Sequence, residues 1–309
     1  MDRSDLRIAV VGLGGVGGYL AGVLGQKFPH LAVVARGERK KAVEENGIVV
    51  HGDFSGEIVT RPETVAGDAS LLGPQDVIFV CVKNYSLEQA CESLKGHVGP
   101  ETILIPVMNG VDPAERTARA LGTGNVLHAV IYIVAFANRD YSITQQGNFA
   151  TVRMGAADER VNERAKELVP LLNVPGLRAD VPADILAQVW RKYIFNCAYN
   201  VMTARYDLPI GPLREDPEKA AEFRALLEET WELSQKKGVR LPHEKVDEMY
   251  QSFAGDIRGD ATSSLQRDLE AGKKSELETF SGYAVREGER LGVAMPVSRR
   301  MYEAMKRNA

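Results

Sequence analysis

The chain has 309 residues, 44% of them hydrophobic and 26% charged, with a formal net charge of −4 and a pI near 5.9. This balance gives no electrostatic case for a nucleic acid or an anionic membrane as partner, and the length exceeds one typical domain, so two domains are expected. Three cysteines, Cys81, Cys91 and Cys197, lack CxxC or His/Cys spacing, suggest neither a disulfide framework nor a zinc site, and suit a reducing cytoplasm.

From residue 7 to about 180, β-branched runs alternate with helical patterns. Strands are expected at 7–12, 31–36, 76–82, 102–107 and 125–134, with crossover helices at 14–26, 85–95 and 113–121. Near-continuous apolar strands imply a sheet buried on both faces, hence a doubly wound, mostly parallel α/β architecture. The glycine-threaded stretch 8–25 lacks the regions of a signal peptide, and the run 126–137 is shorter than the roughly 20 residues that span a bilayer. Each is expected to contribute a buried strand.

Directly after the first strand comes "GLGGVG", Gly12, Leu13, Gly14, Gly15, Val16 and Gly17, which opens a helix. Gly12 permits a tight turn, Gly14 lets backbone approach a pyrophosphate, and Gly17 lets the helix pack closely, while the helix N-terminus offers N–H donors. In its strand–turn–helix setting the motif implies a bound dinucleotide; the bland alternative is a glycine-rich turn that binds nothing. The second strand ends at Arg36, where an NAD-preferring site usually has a carboxylate, and an arginine there suits the 2′-phosphate of NADP. One charge-assisted contact of about 1.5–3 kcal/mol corresponds to roughly 10- to 150-fold discrimination, so NADPH/NADP+ is the expected cofactor. Nearby Glu38 could instead reach a 2′-hydroxyl. Lys83 and Asn109 follow the strands at 76–82 and 102–107, at the carboxyl ends where open α/β sheets place ligands.

Beyond "VPGLRADVPAD" the pattern turns helical, so a dinucleotide-binding domain (1–183) and an all-α domain (184–309) are expected. Within "RKYIFNCAYN", Lys192, Asn196 and Asn200 recur every four residues and form one polar strip about 12 Å long on a helix. Such a strip is a wet face or a working one. An enzyme that reduces a ketone must stabilise and protonate a developing alkoxide, and an ordinary lysine with a pKa of about 10.4 arrives protonated without tuning. Asn196 and Asn200, poor helix formers, would orient a substrate. Farther on, Ser264 and Glu276 flank a basic turn, and spacing alone assigns them no role.

Taken together, the glycine motif, Arg36, "VK" at Lys83, "NG" at Asn109, "WRKYIFNCAYN" and "SSLQRD…SELETFSG…GVAMP" resemble the 2-dehydropantoate 2-reductase (ketopantoate reductase) family over nearly the whole chain. The resemblance implies a Rossmann domain joined to a helical domain like that of 6-phosphogluconate dehydrogenases, with a 2-oxo acid reduced between them. It implies Lys192 as proton donor and Asn109, Asn196, Asn200 and Ser264 as substrate contacts. Gly12 to Gly17, Arg36, Lys83, Asn109 and Glu276 would contact NADPH or close the site over it. One departure concerns Ile210-Gly211, where well-studied members have Asn-Gly with the Asn touching substrate. The alternatives are a reductase of another branched 2-oxo acid, an opine-type dehydrogenase, and an NADP(H)-binding sensor without turnover. The oligomeric state is open, a homodimer being one candidate.

Overall fold

Tetrapeptides of aliphatic residues, buried on both faces, make the centre of the first sheet. In the computed structural model, which describes residues 5–306, the chain divides into two units, one ending at Ile185 and one beginning at Leu186. The first unit contains β1 (Ile8–Val11), β2 (Leu31–Val34), β3 (Ile48–Gly52), β4 (Gly56–Thr60), β5 (Thr64–Ala66), β6 (Val77–Val80), β7 (Ile103–Pro106), β8 (His128–Ala137), β9 (Ile143–Gly155) and β10 (Arg178–Asp180). Its helices are α1 (Gly15–Leu24), α2 (Gly37–Asn46), α3 (Leu87–Leu94), α4 (Pro113–Leu121) and α5 (Glu159–Leu168).

One sheet has the order β5-β2-β1-β6-β7 with every neighbouring pair parallel. Ile8 lies opposite both Leu31 and Val77, so the chain leaves β1 toward one edge and returns on its other side at β6. That reversal is a switch point, and it opens at the carboxyl end of β1, where Gly12 begins the turn.

The expected single strand at 125–134 is two structures. Asn125 and Leu127 bridge Leu104 through N–H···O bonds of 2.9 Å each, extending the parallel sheet briefly. The chain then enters β8, which pairs antiparallel with β9 in a second, mixed sheet of order β10-β9-β3-β4. This sheet was not anticipated. The expectation that 126–137 is buried fails in its second half, where Val134 and Phe136 are 44% and 40% exposed. An antiparallel strand can leave one face in water, whereas a parallel sheet buries both.

Helix α1 lies between the sheets, with Tyr19, Leu20, Val23 and Leu24 fully buried, each side chain contributing about 1.5–3 kcal/mol. Its glycines at 15, 18, 22 and 25 face the second sheet: a Cβ would sit 2.3 Å from the Ala135 carbonyl, 2.5 Å from Ile143, 2.5 Å from Val50 and 2.3 Å from Thr60, respectively. Spacing of 3, 4 and 3 puts all four on one helix face.

The second unit is helical: α6 (Ile185–Tyr206), whose first residue closes the first unit, α7 (Ile210–Glu215), α8 (Pro217–Lys236), α9 (Glu244–Gln251), α10 (Ser264–Glu270), α11 (Tyr283–Leu291) and α12 (Pro296–Lys306). Two π-helical turns, Ser252–Asp256 and Glu278–Gly282, interrupt it. No described helix is long and apolar enough to cross a membrane. Helix α8 packs against α7, α9, α11 and α12, and its Phe223 stacks on Phe253 with ring centres 3.8 Å apart. Buried Glu229 on α8 accepts from the backbone N–H groups of Val297 and Ser298, both at 2.8 Å, and so caps α12.

Replacing Glu229 with Ala strips both donors of their acceptor at a buried helix start. Chemical denaturation should show a loss of about 1–3 kcal/mol, with a smaller loss for Glu229→Gln. Equal stability in Glu229→Ala would show that the cap is dispensable.

Candidate active site

The glycine turn does three separate jobs. Gly12 has φ of +94°, a left-handed conformation that L side chains rarely adopt, and its N–H donates to the Val34 carbonyl at 3.2 Å, joining the turn to β2. Gly17 seats α1: a Cβ there would lie 1.9 Å from the Gly12 carbonyl oxygen and 2.8 Å from the Cys81 Cβ. Gly14 is different, because a Cβ there would point into open space. Gly14 is also the N-cap of α1, whose first turn has neither a side-chain cap nor an acidic residue. Its N–H groups and the positive helix end therefore fit an anionic diphosphate. Leu13 is buried and Val16 half-buried against the core, so both serve packing. Gly15, besides its place in the turn, admits the approach of Ala135.

Arg36 is exposed just beyond β2, and its Nη2 donates to Asp68 at 2.9 Å. Lys83 precedes the short turn Asn84–Ser86 after β6, and Asn109 lies in the loop after β7. Between them stands Asn84, 4% exposed, which the sequence reading missed. Its side-chain amide donates to the Asn109 carbonyl and its Oδ1 accepts from Arg116. Arg116 on α4 also donates to the Asn84 carbonyl at 3.1 Å and to Glu88 at 2.6 and 2.9 Å. One side chain thus couples the loops that carry Lys83 and Asn109. Asn84 is adjacent to Lys83, but Arg116 lies 32 residues farther on, so no spacing rule links the group.

In the second unit, α6 carries the polar strip. Lys192 and Asn196 are half-buried and Asn200 is buried. Asn200 Oδ1 accepts from the Ser264 hydroxyl at 3.2 Å and from the Leu265 N–H at 3.4 Å, while its Nδ2 donates to the Asn196 carbonyl at 3.3 Å. Below it, Thr203 donates to Ser263 at 2.7 Å, and Ser263 caps α10. Toward the other end, Tyr193 donates to the carbonyls of Thr279 and Phe280, and the Cys197 thiol to Phe280. These bonds fix the segment that carries Glu276, itself 5% exposed.

Lys192 is not the untuned lysine of the sequence reading. Burial pushes its ammonium down to about 8, and the Glu276 carboxylate pulls in the opposite direction. Desolvation disfavours the charged form and the neighbouring negative charge restores part of it. Asn200 is closed off from water, while Lys192 and Asn196 keep partial access to it. Ile210, at the start of α7, is wholly buried, and its N–H donates to the Ala261 carbonyl at 3.1 Å.

A glycine cradle at the switch point of a parallel sheet, and a tuned lysine beside amide groups, belong to the class of nicotinamide-dependent oxidoreductases acting on CH–OH groups. The comparisons give the family: the description "Ketopantoate reductase PanE/ApbA" matches residues 8–159 and its C-terminal counterpart matches residues 184–309. The chain belongs to the ketopantoate reductase family. It is 27% identical over 309 residues to the uncharacterized oxidoreductase YkpB of Bacillus subtilis, covering 97% of this chain and 100% of that protein. It is 29% identical to a 2-dehydropantoate 2-reductase of Mesorhizobium japonicum, covering 89% of each. Among solved structures, the PanE/ApbA family ketopantoate reductase of Ralstonia eutropha superposes with a TM-score of 0.86 at 25% identity, covering 97% of both chains.

The two glycines separate binding from folding. Gly14→Ala should keep the melting temperature within a few degrees and weaken dinucleotide binding about tenfold, near 1.4 kcal/mol. Gly17→Ala should lower stability by about 3 kcal/mol or more through overpacking. Fluorescence titration and thermal melts check both, and unaltered binding in Gly14→Ala would remove the turn from the cofactor site.

Proposed function

We propose that this chain is an NADPH-dependent reductase that converts 2-dehydropantoate to (R)-pantoate, on the route to pantothenate and coenzyme A. Family membership supports the reaction, and the observation that carries the reading is Lys192, tuned to about 8 beside Glu276 on the helix that also holds Asn196 and Asn200. Its three cysteines are free and buried, which accords with a reducing cytoplasm.

The dinucleotide would be held by the first unit: its diphosphate by the N–H groups after Gly12, its 2′-phosphate by Arg36, and its nicotinamide end by the loops of Lys83 and Asn109. When bound, NADPH supplies a hydride to the C2 carbonyl carbon of the substrate. Lys192 donates its proton to the carbonyl oxygen as negative charge grows there, and a donor whose pKa lies near the working pH transfers a proton more readily than an ordinary lysine. Asn196 and Asn200 direct amide N–H groups at the substrate. With its own proton engaged on Asn200, Ser264 offers lone pairs, which suit a substrate hydroxyl better than a carboxylate.

Ile210 favours a second reading, in which the substrate is another branched 2-oxo acid. A buried isoleucine supplies no polar contact at the position where the resemblance expects a substrate-touching asparagine. A panel of 2-oxo acids with NADPH and NADH, run with and without amino acids, decides. Consumption with NADPH and 2-dehydropantoate supports the first reading, turnover only with another acid supports the second, and amino-acid dependence supports an opine-type reaction. Tight NADPH binding with no turnover would leave a sensor.

Lys192→Ala should lower kcat by about 10²-fold or more with NADPH affinity nearly intact. The ammonium is the acid, so it is populated below its pKa and lost above it. For the reduction, kcat/KM should be level at neutral pH and fall as pH rises through about 8. Glu276→Gln removes the charge that raises this pKa, and its alkaline limb should move to lower pH. A limb that stays in place in Glu276→Gln would separate Glu276 from the proton donor.

A further inference from the structure

The sequence offers Arg36 for a 2′-phosphate and Glu38 for a 2′-hydroxyl at the ribose end of the dinucleotide, and the structure places a different carboxylate, Asp68, against Arg36. Strand β5 runs beside β2, and the Ala35 N–H donates to the Ala66 carbonyl at 3.0 Å, so the two strands end together. Two residues beyond β5, Asp68 meets three donors from three segments. Its Oδ1 accepts from the Ser70 N–H at 3.1 Å, and its Oδ2 from Arg36 at 2.9 Å and from the Ser93 hydroxyl at 3.3 Å. The first of these caps the turn Ala69–Leu71 and fixes the carboxylate whether or not Arg36 is present.

The other basic groups of this corner are engaged too. Lys40 pairs with Glu44, Lys41 with Glu38 at 2.8 Å, and the Arg39 guanidinium lies over the Tyr141 ring, 5.0 Å from its centre. Glu38 therefore points its charge at Lys41, and Asp68 is the carboxylate bonded to Arg36.

We propose that Asp68 is a specificity-determining residue that weakens the choice of NADPH over NADH by holding Arg36 and by offering the acceptor that a ribose 2′-hydroxyl needs. The inference rests on the dinucleotide site proposed above. A 2′-phosphate, with a charge of about −1.5 to −2, competes with Asp68 for Arg36 and is repelled by it. A neutral 2′-hydroxyl meets no repulsion and donates to the carboxylate. The hydrogen bond from the Ser70 N–H is the largest influence holding the Asp68 carboxyl below its usual range, so it is ionised at neutral pH.

The experiment titrates the full-length protein with NADPH and with NADH, following nucleotide fluorescence, for the parent, Asp68→Asn, Arg36→Ala and the double variant. Asparagine keeps a side-chain oxygen for the Ser70 N–H, and thermal melts verify that the turn survives. Asp68→Asn should bind NADPH about three- to tenfold more tightly at low salt, the scale of an exposed ion pair plus removed repulsion, without tightening NADH. In the Arg36→Ala background the part of that gain that comes from releasing Arg36 should vanish, leaving only the removed repulsion. A ratio of NADPH to NADH affinity that stays within about twofold of the parent, or falls, overturns the proposal, as does a gain that persists in full without Arg36. If the parent binds neither nucleotide, the dinucleotide site itself fails, a result distinct from an unchanged ratio in a protein that binds both.

Discussion

Partial withdrawal from water disfavours an ammonium unless an opposite charge lies near it, and half-buried Lys192 meets that constraint with the carboxylate of buried Glu276. Lowering a lysine to about 8 corresponds to about 3 kcal/mol against its charged form, and without the buried Glu276 the cost would be greater. Much of the helical unit's bonding bears on that pairing. Thr279 and Phe280 donate their N–H groups to the Glu276 carbonyl, and their own carbonyls receive Tyr193 and Cys197 from α6. The π-helical turn at Glu278–Gly282 supplies these acceptors, because its widened ladder departs from the regular i→i−4 pattern. The backbone that carries Glu276 is thus tied to α6 through the Tyr193 hydroxyl and the Cys197 thiol.

In the first unit the corresponding constraint is steric. Helix α1 meets the residues just beyond β1 and β6, Gly12 and Cys81, on one side through Gly17 and the second sheet on the other through Gly15, Gly18, Gly22 and Gly25. The helix end at the glycine turn is therefore positioned by contacts made within the first unit itself. Gly14 is the member of the motif whose missing side chain leaves space rather than filling it, and this separates its role from that of Gly17 although the two look equivalent in the pattern.

The parallel sheet was legible because its strands are apolar tetrapeptides, and their ends placed Gly12, Arg36, Lys83 and Asn109 just beyond β1, β2, β6 and β7. The second sheet was hidden by its own geometry: β3, β4 and β9 mix polar and apolar residues on a half-exposed surface, and β8 continues a strand of the other sheet without a break in hydrophobicity. Four glycines at helical spacing form the second packing face of α1, and only the first of them lies within the glycine motif. Residue types marked Lys192, Asn196 and Asn200, whereas the altered pKa of Lys192 depends on Glu276, 84 residues away in sequence, and on burial that no local pattern encodes.

The residues proposed to perform chemistry and those proposed to select ligands are built differently. Asn200, Gly12 and Gly17 are tied into hydrogen bonds or close steric contacts, so substitution at any of them disturbs the fold as well as the proposed reaction. Arg36 and Asp68 are exposed side chains at strand ends, where exchange of a charge costs the fold about 0–1 kcal/mol. Ile210 occupies an apolar site anchored by its backbone N–H to Ala261, a bond that any residue except proline can make. Cofactor preference and substrate side-chain recognition can therefore change without rebuilding the machinery for hydride and proton transfer. For the proposed reductase, that asymmetry explains how one chain can keep the lysine and asparagines that the resemblance expects while departing from it at position 210.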